Sequence, residues 1–153
     1  MGTFNVKHGG IIRKSFVISA SETNAWSKGR VMRMDASGQL NIHNGGAALL
    51  TGITGENRVL STNVGPTVTL NKIGAPNGEQ ASIIIDEAVI VDDQIRSGIN
   101  FEAGDVVYTD TAGRLTTSGN GTGSNAPTIG IALSQGRSGD GARPVEFFFS
   151  VSY

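Results

Sequence analysis

The side chains with the widest chemical range in this sequence are two histidines, His8 and His43. An imidazole can bind a metal ion or exchange a proton near neutral pH. A zinc site needs three or four convergent ligands, and neither histidine has a second histidine or a carboxylate at ligand spacing. We therefore expect both to be surface residues, His8 in an N-terminal arm and His43 at the end of a strand. The sequence predicts no metal ligand.

Two pairs of adjacent carboxylates, Asp86-Glu87 and Asp92-Asp93, are the other candidates for chemistry. Paired carboxylates perform the acid–base steps of glycoside hydrolysis. Acidic side chains usually stay in water, and nothing in the sequence places these pairs across a cleft, so we expect exposed loop and edge charges. The glycines of 119–123 are not followed by the Lys-Ser/Thr of a phosphate-binding loop. We predict no catalytic residue, no cofactor and no enzymatic activity.

The composition is that of a weakly charged protein with many turns. Of 153 residues, 22 are glycine and 16% are charged, against about 25% charged residues in typical soluble domains. The net charge is −1, cysteine is absent, and there is neither a basic stripe nor a long apolar run. We therefore expect no nucleic-acid partner and no membrane partner. A weakly charged surface is poorly protected against association, which favours a protein that sits against copies of itself or another protein.

The C-terminal segment is the clearest strand, because apolar residues alternate along it with a period of two. One face carries Val145, Phe147, Phe149, Val151 and Tyr153, and the other carries Glu146, Phe148, Ser150 and Ser152. Phe148 is the exception on the polar face. A subunit interface at Phe148 would explain this exception, and a second packed layer would explain it equally well.

Three further segments predict local structure. Residues 11–19 predict a strand, with Ile11 among its apolar residues. The β-branched run 82–91 predicts a buried strand, and 92–98 predicts an exposed segment with a short helical turn capped by Asp92. No long stretch has the periodicity of a helix.

The sequence contains one short unit twice. Trp26-Ser27-Lys28-Gly29-Arg30-Val31, then Asp35, Gly38 and Leu40, recurs 75 positions later as Phe101-Glu102-Ala103-Gly104-Asp105-Val106, then Asp110, Gly113 and Leu115. After a three-residue insertion the match resumes at an offset of 78, where Gly52-Ile53 and Pro66 correspond to Gly130-Ile131 and Pro144. Each Asp-x-x-Gly predicts a turn between two strands, because Asp binds its own following backbone and Gly accepts positive φ. A duplicated β-unit favours a structural or binding protein over an enzyme.

These elements predict an all-β protein of one domain, residues 1–153. The expected architecture is a small β-barrel or a β-tulip or sandwich built from the duplicated β-unit, with an extended N-terminal arm and at most one or two short helices. The predicted parts are an arm and first strand at 1–25, a first β-unit at 26–74, a connecting strand and turn at 75–100, and a second β-unit at 101–153. A turn signal at 75–78 opens the connection.

Three sequence motifs of the second unit follow one another in a recognisable order. They are Phe101-Glu102-Ala103-Gly104-Asp105-Val106-Val107-Tyr108-Thr109-Asp110, Gly113-Arg114-Leu115-Thr116-Thr117 and Ile129-Gly130-Ile131-Ala132. This order resembles the small capsid cement, or decoration, proteins of tailed bacteriophages, in which a G-D-x-V-Y-x-D hairpin, a Thr-rich return strand and an I-G-x-A strand precede a last strand. The resemblance covers 101–149, and 26–54 more faintly. The chain departs from the family in a longer N-terminal region and in an insertion at 119–126.

The resemblance implies a β-barrel or β-tulip-like domain, made in the host cytoplasm and located on the outer capsid surface of the virion. Its partners would be the major capsid protein, at local threefold positions, and copies of itself in a trimer. The mildly basic N-terminal region would be an arm that orders on docking. The residues of this expected docking arm are Phe4, Val6, Lys7, His8, Arg13 and Lys14, and the expected subunit interface is at Phe148.

Two other classes of protein stay open. One is another virion part, such as a tail or fibre domain, and the other is a carbohydrate-binding β-module. A sugar-binding module usually presents a cluster of exposed aromatic rings. The one Trp, two Tyr and six Phe of this chain lie mostly in predicted strands, so the sequence gives little support to sugar binding.

Overall fold

The protein is built of β-strands throughout the residues that its structure describes. The computed structural model describes residues 3–58, 80–123 and 125–152, and these contain no helix and no closed barrel. The strands are β1 Phe4–Gly9, β2 Arg13–Val17, β3 Val31–Met34, β4 Leu40–Ile42, β5 Thr51–Ile53, β6 Gln80–Ile84, β7 Ala88–Asp92, β8 Asn100–Phe101, β9 Val106–Thr109, β10 Leu115–Thr116, β11 Thr128–Ala132, β12 Gly136–Arg137 and β13 Val145–Ser152. The all-β prediction is confirmed, in its sandwich-like form.

Most of these strands form two antiparallel sheets. The first sheet has five strands in the order β2-β6-β5-β3-β4. The second sheet has six strands in the order β1-β7-β13-β11-β9-β10, and a short separate pair joins β12 to β8. The chain completes the first sheet before it begins β7. We therefore call strands β2 to β6 unit one and strands β7 to β13 unit two.

The duplication predicted from the sequence is present in the strand pairing. Met32 of β3 pairs with Gly52 of β5, and Val107 of β9 pairs with Gly130 of β11. The offsets between the two pairs are the predicted 75 and 78 positions. The two sheets share one strand order when β2, β6, β5, β3 and β4 are matched to β7, β13, β11, β9 and β10. The two repeated sequence segments therefore encode the same supersecondary unit.

The two predicted turns have the same hydrogen bonds. The carbonyl of Asp35 accepts the N–H of Gly38 at 3.0 Å, and the carbonyl of Asp110 accepts the N–H of Gly113 at 3.1 Å. In each turn the aspartate Oδ1 also accepts the N–H two residues further on. The glycines have φ values of 77° and 75°, a conformation that other residues rarely adopt. Each Asp-x-x-Gly therefore closes its hairpin by local chemistry.

The boundary between the units differs from the predicted one. The connecting segment 75–100 is divided between the units, because β6 completes the first sheet and β7 opens the second. The run 82–91, predicted as a single strand, is two strands separated by a bend at residues 85–87. The turn at 75–78, the match at Pro66 and the strand residue Tyr153 lie outside the described residues.

The predicted N-terminal arm is the edge strand of the second sheet. β1 is extended, as expected, but it pairs with β7 along its length, with a bulge between Val6 and His8. Phe4 and Val6 pack partly buried against the core. The arm is therefore ordered by its own chain and needs no partner to order it. The strand predicted at 11–19 begins only at β2, and Ile11 precedes it with 86% of its surface exposed.

Each unit has an apolar core on one face of its sheet. The core of unit one contains Ile18, Trp26, Met32, Leu40, Ala81 and Ile83. The core of unit two contains their repeat equivalents Ile95, Phe101, Val107, Leu115, Val145 and Phe147. The opposite face of unit one contributes Val31, Ile53 and Ile84 to the core of unit two. Burial of each such aliphatic side chain contributes roughly 1.5–3 kcal/mol to folding, so this contact joins the units firmly.

Candidate interaction surface

Exposed apolar side chains of the second sheet form a row across three strands. Val106 of β9 pairs with Ile131 of β11, and Ile131 pairs with Phe148 of β13. Residues directly opposite each other in antiparallel strands project from the same face, so the three side chains lie side by side. Their exposed fractions are 39%, 41% and 36%. We call Val106, Ile131 and Phe148 the outer row.

Further residues continue the outer row at its edges. Phe148 pairs with the half-buried Val89 of β7, and Val89 pairs with the exposed His8 of β1. Leu133, two residues after Ile131, is 47% exposed. Single exposed apolar residues need no explanation, but contiguous ones mark sites of interaction. The outer face of the second sheet is therefore the candidate interaction surface.

Polar contacts surround the outer row. Lys7 Nζ lies 3.1 Å from Glu146 Oε1, with both side chains partly exposed. The hydroxyl of Ser150 donates to Glu87 Oε2 at 3.2 Å. An exposed ion pair contributes only about 0–1 kcal/mol to stability, so these contacts add little to the fold. An apolar centre within a polar rim is the usual arrangement of a protein–protein interface.

The structure brings part of the predicted site to this surface. Phe148 is exposed on the outer face of β13, as the alternation of the sequence predicts. Lys7 and His8, predicted as docking residues, lie on β1 in the same sheet and are exposed there. The role of Phe148 in a subunit interface stays a prediction.

Other members of the predicted docking arm lie elsewhere. Phe4 and Val6 alternate with exposed residues along β1 and pack against the core, so they are not available for docking. Arg13 and Lys14 are exposed, but they belong to β2 at the edge of the first sheet. The six residues therefore do not form one arm.

Val106 and Ile131 are the members of the outer row that sequence reasoning missed. Apolar residues are consecutive at Val106-Val107, and the segment 129–132 is also apolar without alternation. A bulge in β11 between Thr128 and Gly130 shifts the register there, so period two does not separate the inner from the outer residues. The repeat could have signalled these positions, because they match core residues of unit one.

His43 is fully buried, so its predicted surface position is wrong. The N–H of Gly45 donates to its Nδ1 at 3.0 Å, which leaves Nε2 to carry the proton and donate to Thr51 Oγ1 at 3.2 Å. Burial, together with the positive charge of Arg33, lowers the pKa of His43 to about 4. The imidazole is therefore neutral at pH 7, and its hydrogen bonds fix the loop after β4.

Asp92 is also fully buried, so its predicted exposed position is wrong. Its Oδ1 accepts the N–H of Gln94 at 3.0 Å, while its Oδ2 has no hydrogen-bond partner among the described residues. Burial raises the pKa of this carboxyl well above its usual range. A Cβ placed on Gly29 of unit one would overlap the Asp92 carboxylate. Asp92 therefore packs at the boundary between the units, and no helical turn follows it.

The buried Asp110 anchors the turn by which unit two contacts unit one. Its Oδ2 lies 3.2 Å from Arg96 Nη1 and 3.0 Å from Arg114 Nη2. The carbonyl of Gly113, in the same turn, accepts the N–H of Val31 at 2.8 Å. The buried carboxylate pairs with two partly exposed guanidinium groups, so the cluster is a structural element.

Neither the described residues nor known proteins supply a further lead to function. The described residues contain no group of three side chains able to hold a metal ion, and no helix among them is long and apolar enough to cross a membrane. Comparison with protein-family models, with curated proteins and with solved structures found no match to this chain. The outer row and the sequence motifs of the second unit are therefore the features that bear on function.

Proposed function

We propose that this chain is a non-enzymatic capsid decoration protein of a tailed bacteriophage. It binds the outer surface of the head between major capsid subunits, as a homotrimer on the particle, and stabilises the shell against internal pressure. The observation that carries the proposal is the outer row, which exposes contiguous apolar side chains on a sheet that is otherwise well packed. The order of the three sequence motifs over 101–149 supports a capsid protein as the partner.

The chemistry of the outer row suits a protein partner. Removing apolar surface from water favours association by roughly 25 cal/mol per Å². A nucleic acid would require a cluster of cations for its phosphates, whereas the net charge of this chain is −1. A sugar would stack on several exposed aromatic rings, and Phe148 is the one aromatic residue of the row. The surface therefore favours docking on another folded protein.

The architecture suits a load-bearing role. The units share a buried contact through Val31, Ile53 and Ile84, and β1 of the N-terminal segment is paired into the sheet of unit two. A clamp between capsid subunits has to resist separation of its own parts before it can resist separation of its partners. Many copies on one particle turn modest single affinities into high avidity.

The test is co-sedimentation of the purified protein with heads of the phage whose genome encodes it. We expect saturable binding, at a copy number that approaches the number of major capsid subunits. Phe148→Ser should weaken this binding, because it removes the aromatic member of the outer row. Leu49→Ser is the matched control, since Leu49 is also an exposed apolar residue but does not belong to the row.

The other outcomes of this experiment identify the alternatives. A few copies per particle would place the protein in the tail or at a vertex and contradict decoration. An absence of binding would also contradict it and favour the sugar-binding module, for which a glycan array is the next measurement. Equal losses with Phe148→Ser and Leu49→Ser would show that the outer row is not the docking surface.

A further inference from the structure

Unit one contacts unit two through a row of buried apolar side chains. The equivalent row of unit two is exposed. In unit one, Val31 pairs with Ile53 and Ile53 pairs with Ile84, and the exposed fractions of the three are 0%, 0% and 1%. Unit two covers this row. The equivalents in unit two are Val106, Ile131 and Phe148, which pair with one another in the same way. The outer row is therefore a second copy of a packing face, without a cover in the described part of the chain.

The turn with which unit two contacts unit one also has an equivalent in the other unit. The turn 110–113 of unit two contacts the end of the unit-one row, because a Cβ placed on Gly113 would come within 2.5 Å of the carbonyl oxygen of Val31 and within 2.8 Å of Ile42 Cγ2. The equivalent turn of unit one, 35–38, has the same internal hydrogen bonds. Among the described residues, nothing lies within 4 Å of the Cβ position of Gly38. The turn of unit one is therefore uncovered in the described part of the chain.

A third pair of equivalent residues, Gly29 and Gly104, also differs in whether it is covered. Gly29 of unit one lies directly under the Asp92 carboxylate of unit two, whereas no described residue lies within 4 Å of the Cβ position of its equivalent, Gly104. The backbones match, since the N–H of Gly29 donates to the carbonyl of Thr54 and the N–H of Gly104 donates to that of Ala132. In the described part of the chain, the row and Gly104 of unit two are therefore uncovered, and so is the turn 35–38 of unit one.

We propose that copies of this chain associate head to tail, so that unit one of the next copy covers the outer row and its turn 35–38 contacts the end of the row at Val106. The contact repeats, between molecules, the one that already joins unit two to unit one. It predicts that the N–H of Val106 donates to the carbonyl of Gly38 in the next copy, as the N–H of Val31 donates to that of Gly113. The inference concerns the free protein, since an outer row that is covered by the next copy is not available to a capsid subunit at the same time.

The geometry of such a contact determines the kind of assembly. A head-to-tail contact is heterologous, because each copy uses two different surfaces. Each added copy leaves one free surface of each kind until a ring closes, so the assembly grows past two copies. A contact in which the outer row met itself would be twofold and would stop at a dimer.

The first experiment measures molar mass by sedimentation equilibrium at rising concentration up to about 1 mM, where a contact of only about 4 kcal/mol is half populated. We expect an assembly larger than a dimer. Ile131→Lys should leave a monomer, and Leu49→Lys, at an exposed apolar residue outside the row, should leave the assembly intact. A wild-type monomer or a closed dimer would overturn the proposal.

The second variant blocks the turn without disturbing the fold. Gly38→Asn keeps a residue that tolerates positive φ, but its side chain would collide with the next copy, as a side chain at Gly113 would collide with unit one. The matched control is Gly139→Asn, since Gly139 also has a positive φ and a Cβ position with no described neighbour within 4 Å. We expect Gly38→Asn to be monomeric and Gly139→Asn to assemble. Unfolding curves establish that each variant is folded.

Mixing the two blocked variants separates a head-to-tail contact from every other kind. Ile131→Lys retains an intact turn 35–38, and Gly38→Asn retains an intact outer row. An equimolar mixture should therefore form a 1:1 dimer that grows no further, although each variant alone is monomeric. Assembly of Gly38→Asn alone, or the absence of a mixed dimer, would show that the row is covered by a different surface.

Discussion

At the scale of single residues, the neutral His43 makes the stability of this protein depend on acidity. The unfolded chain protonates this imidazole below a pKa of about 6.5, whereas the folded protein resists protonation until about 4 because of burial. The unfolded state therefore binds more protons between these values, and the free energy of unfolding falls as the pH falls through that window. Above it, the contribution of His43 is fully present.

The prediction for His43 is a loss of about 3 kcal/mol of unfolding free energy between pH 7 and pH 4. His43→Gln, which can still bond to Gly45 and Thr51, should lack this loss. Asp92 acts in the opposite direction, because its raised pKa lowers stability as the pH rises above the value of the unfolded chain. The comparison of wild type with His43→Gln cancels that effect. Denaturant unfolding at both pH values is the measurement, and parallel pH dependences would contradict the prediction.

The two turn aspartates allow a matched comparison of one substitution in two environments. Asp110 is fully buried and meets two arginines, whereas Asp35 has the same turn hydrogen bonds and is partly exposed. Asp110→Asn removes the carboxylate that pairs with two guanidinium groups among the described residues, each about one-third exposed, and we expect a loss of about 2 kcal/mol. Asp35→Asn should cost clearly less. Equal shifts in the denaturation midpoint would mean that the turn hydrogen bonds alone account for the role of Asp110.

At the scale of elements, β1 is the strand whose role changes most between sequence and structure. Deletion of residues 1–9 should remove the packing of Phe4 and Val6 and expose the edge of β7. We expect the unfolding free energy to fall by roughly 3 kcal/mol, from the lost burial of these two side chains. Lys7→Ala, which removes only an exposed ion pair, is the control. An unchanged stability after the deletion would restore the interpretation of β1 as a free arm.

The elements that the sequence predicts well are those closed by local contacts. The Asp-x-x-Gly turns at 35–38 and 110–113 carry their own hydrogen-bond partners, and the alternation over β13 identifies its buried face without help from other strands. The position of β1 depends on β7, which is distant in sequence, so no local pattern predicts their pairing. The burial of Asp92 and His43 arises from contacts with other elements, and polarity alone predicts the wrong environment for both.

At the scale of the whole molecule, duplication explains both the stability and the candidate site. One copy of the packing face holds the two units together, and the other copy is the outer row. The two proposals fail separately, since head-to-tail assembly is measured on the free protein and capsid decoration on particles. A protein that assembles, but whose monomeric Gly38→Asn variant with its free outer row binds no head, would contradict decoration alone.

The pairing of β1 with β7 also sets the order in which the chain can complete its sheets during synthesis. Gly9 pairs with Ala88, which lies 79 positions later in the chain. At a translation rate of about 5–20 residues per second, the first strand waits about 4–16 seconds for its partner. Throughout that interval β1 has no strand to pair with, and Phe4 and Val6 lack the part of the core that unit two supplies. The nascent amino-terminus therefore presents chaperones with apolar residues that the finished protein packs against its core.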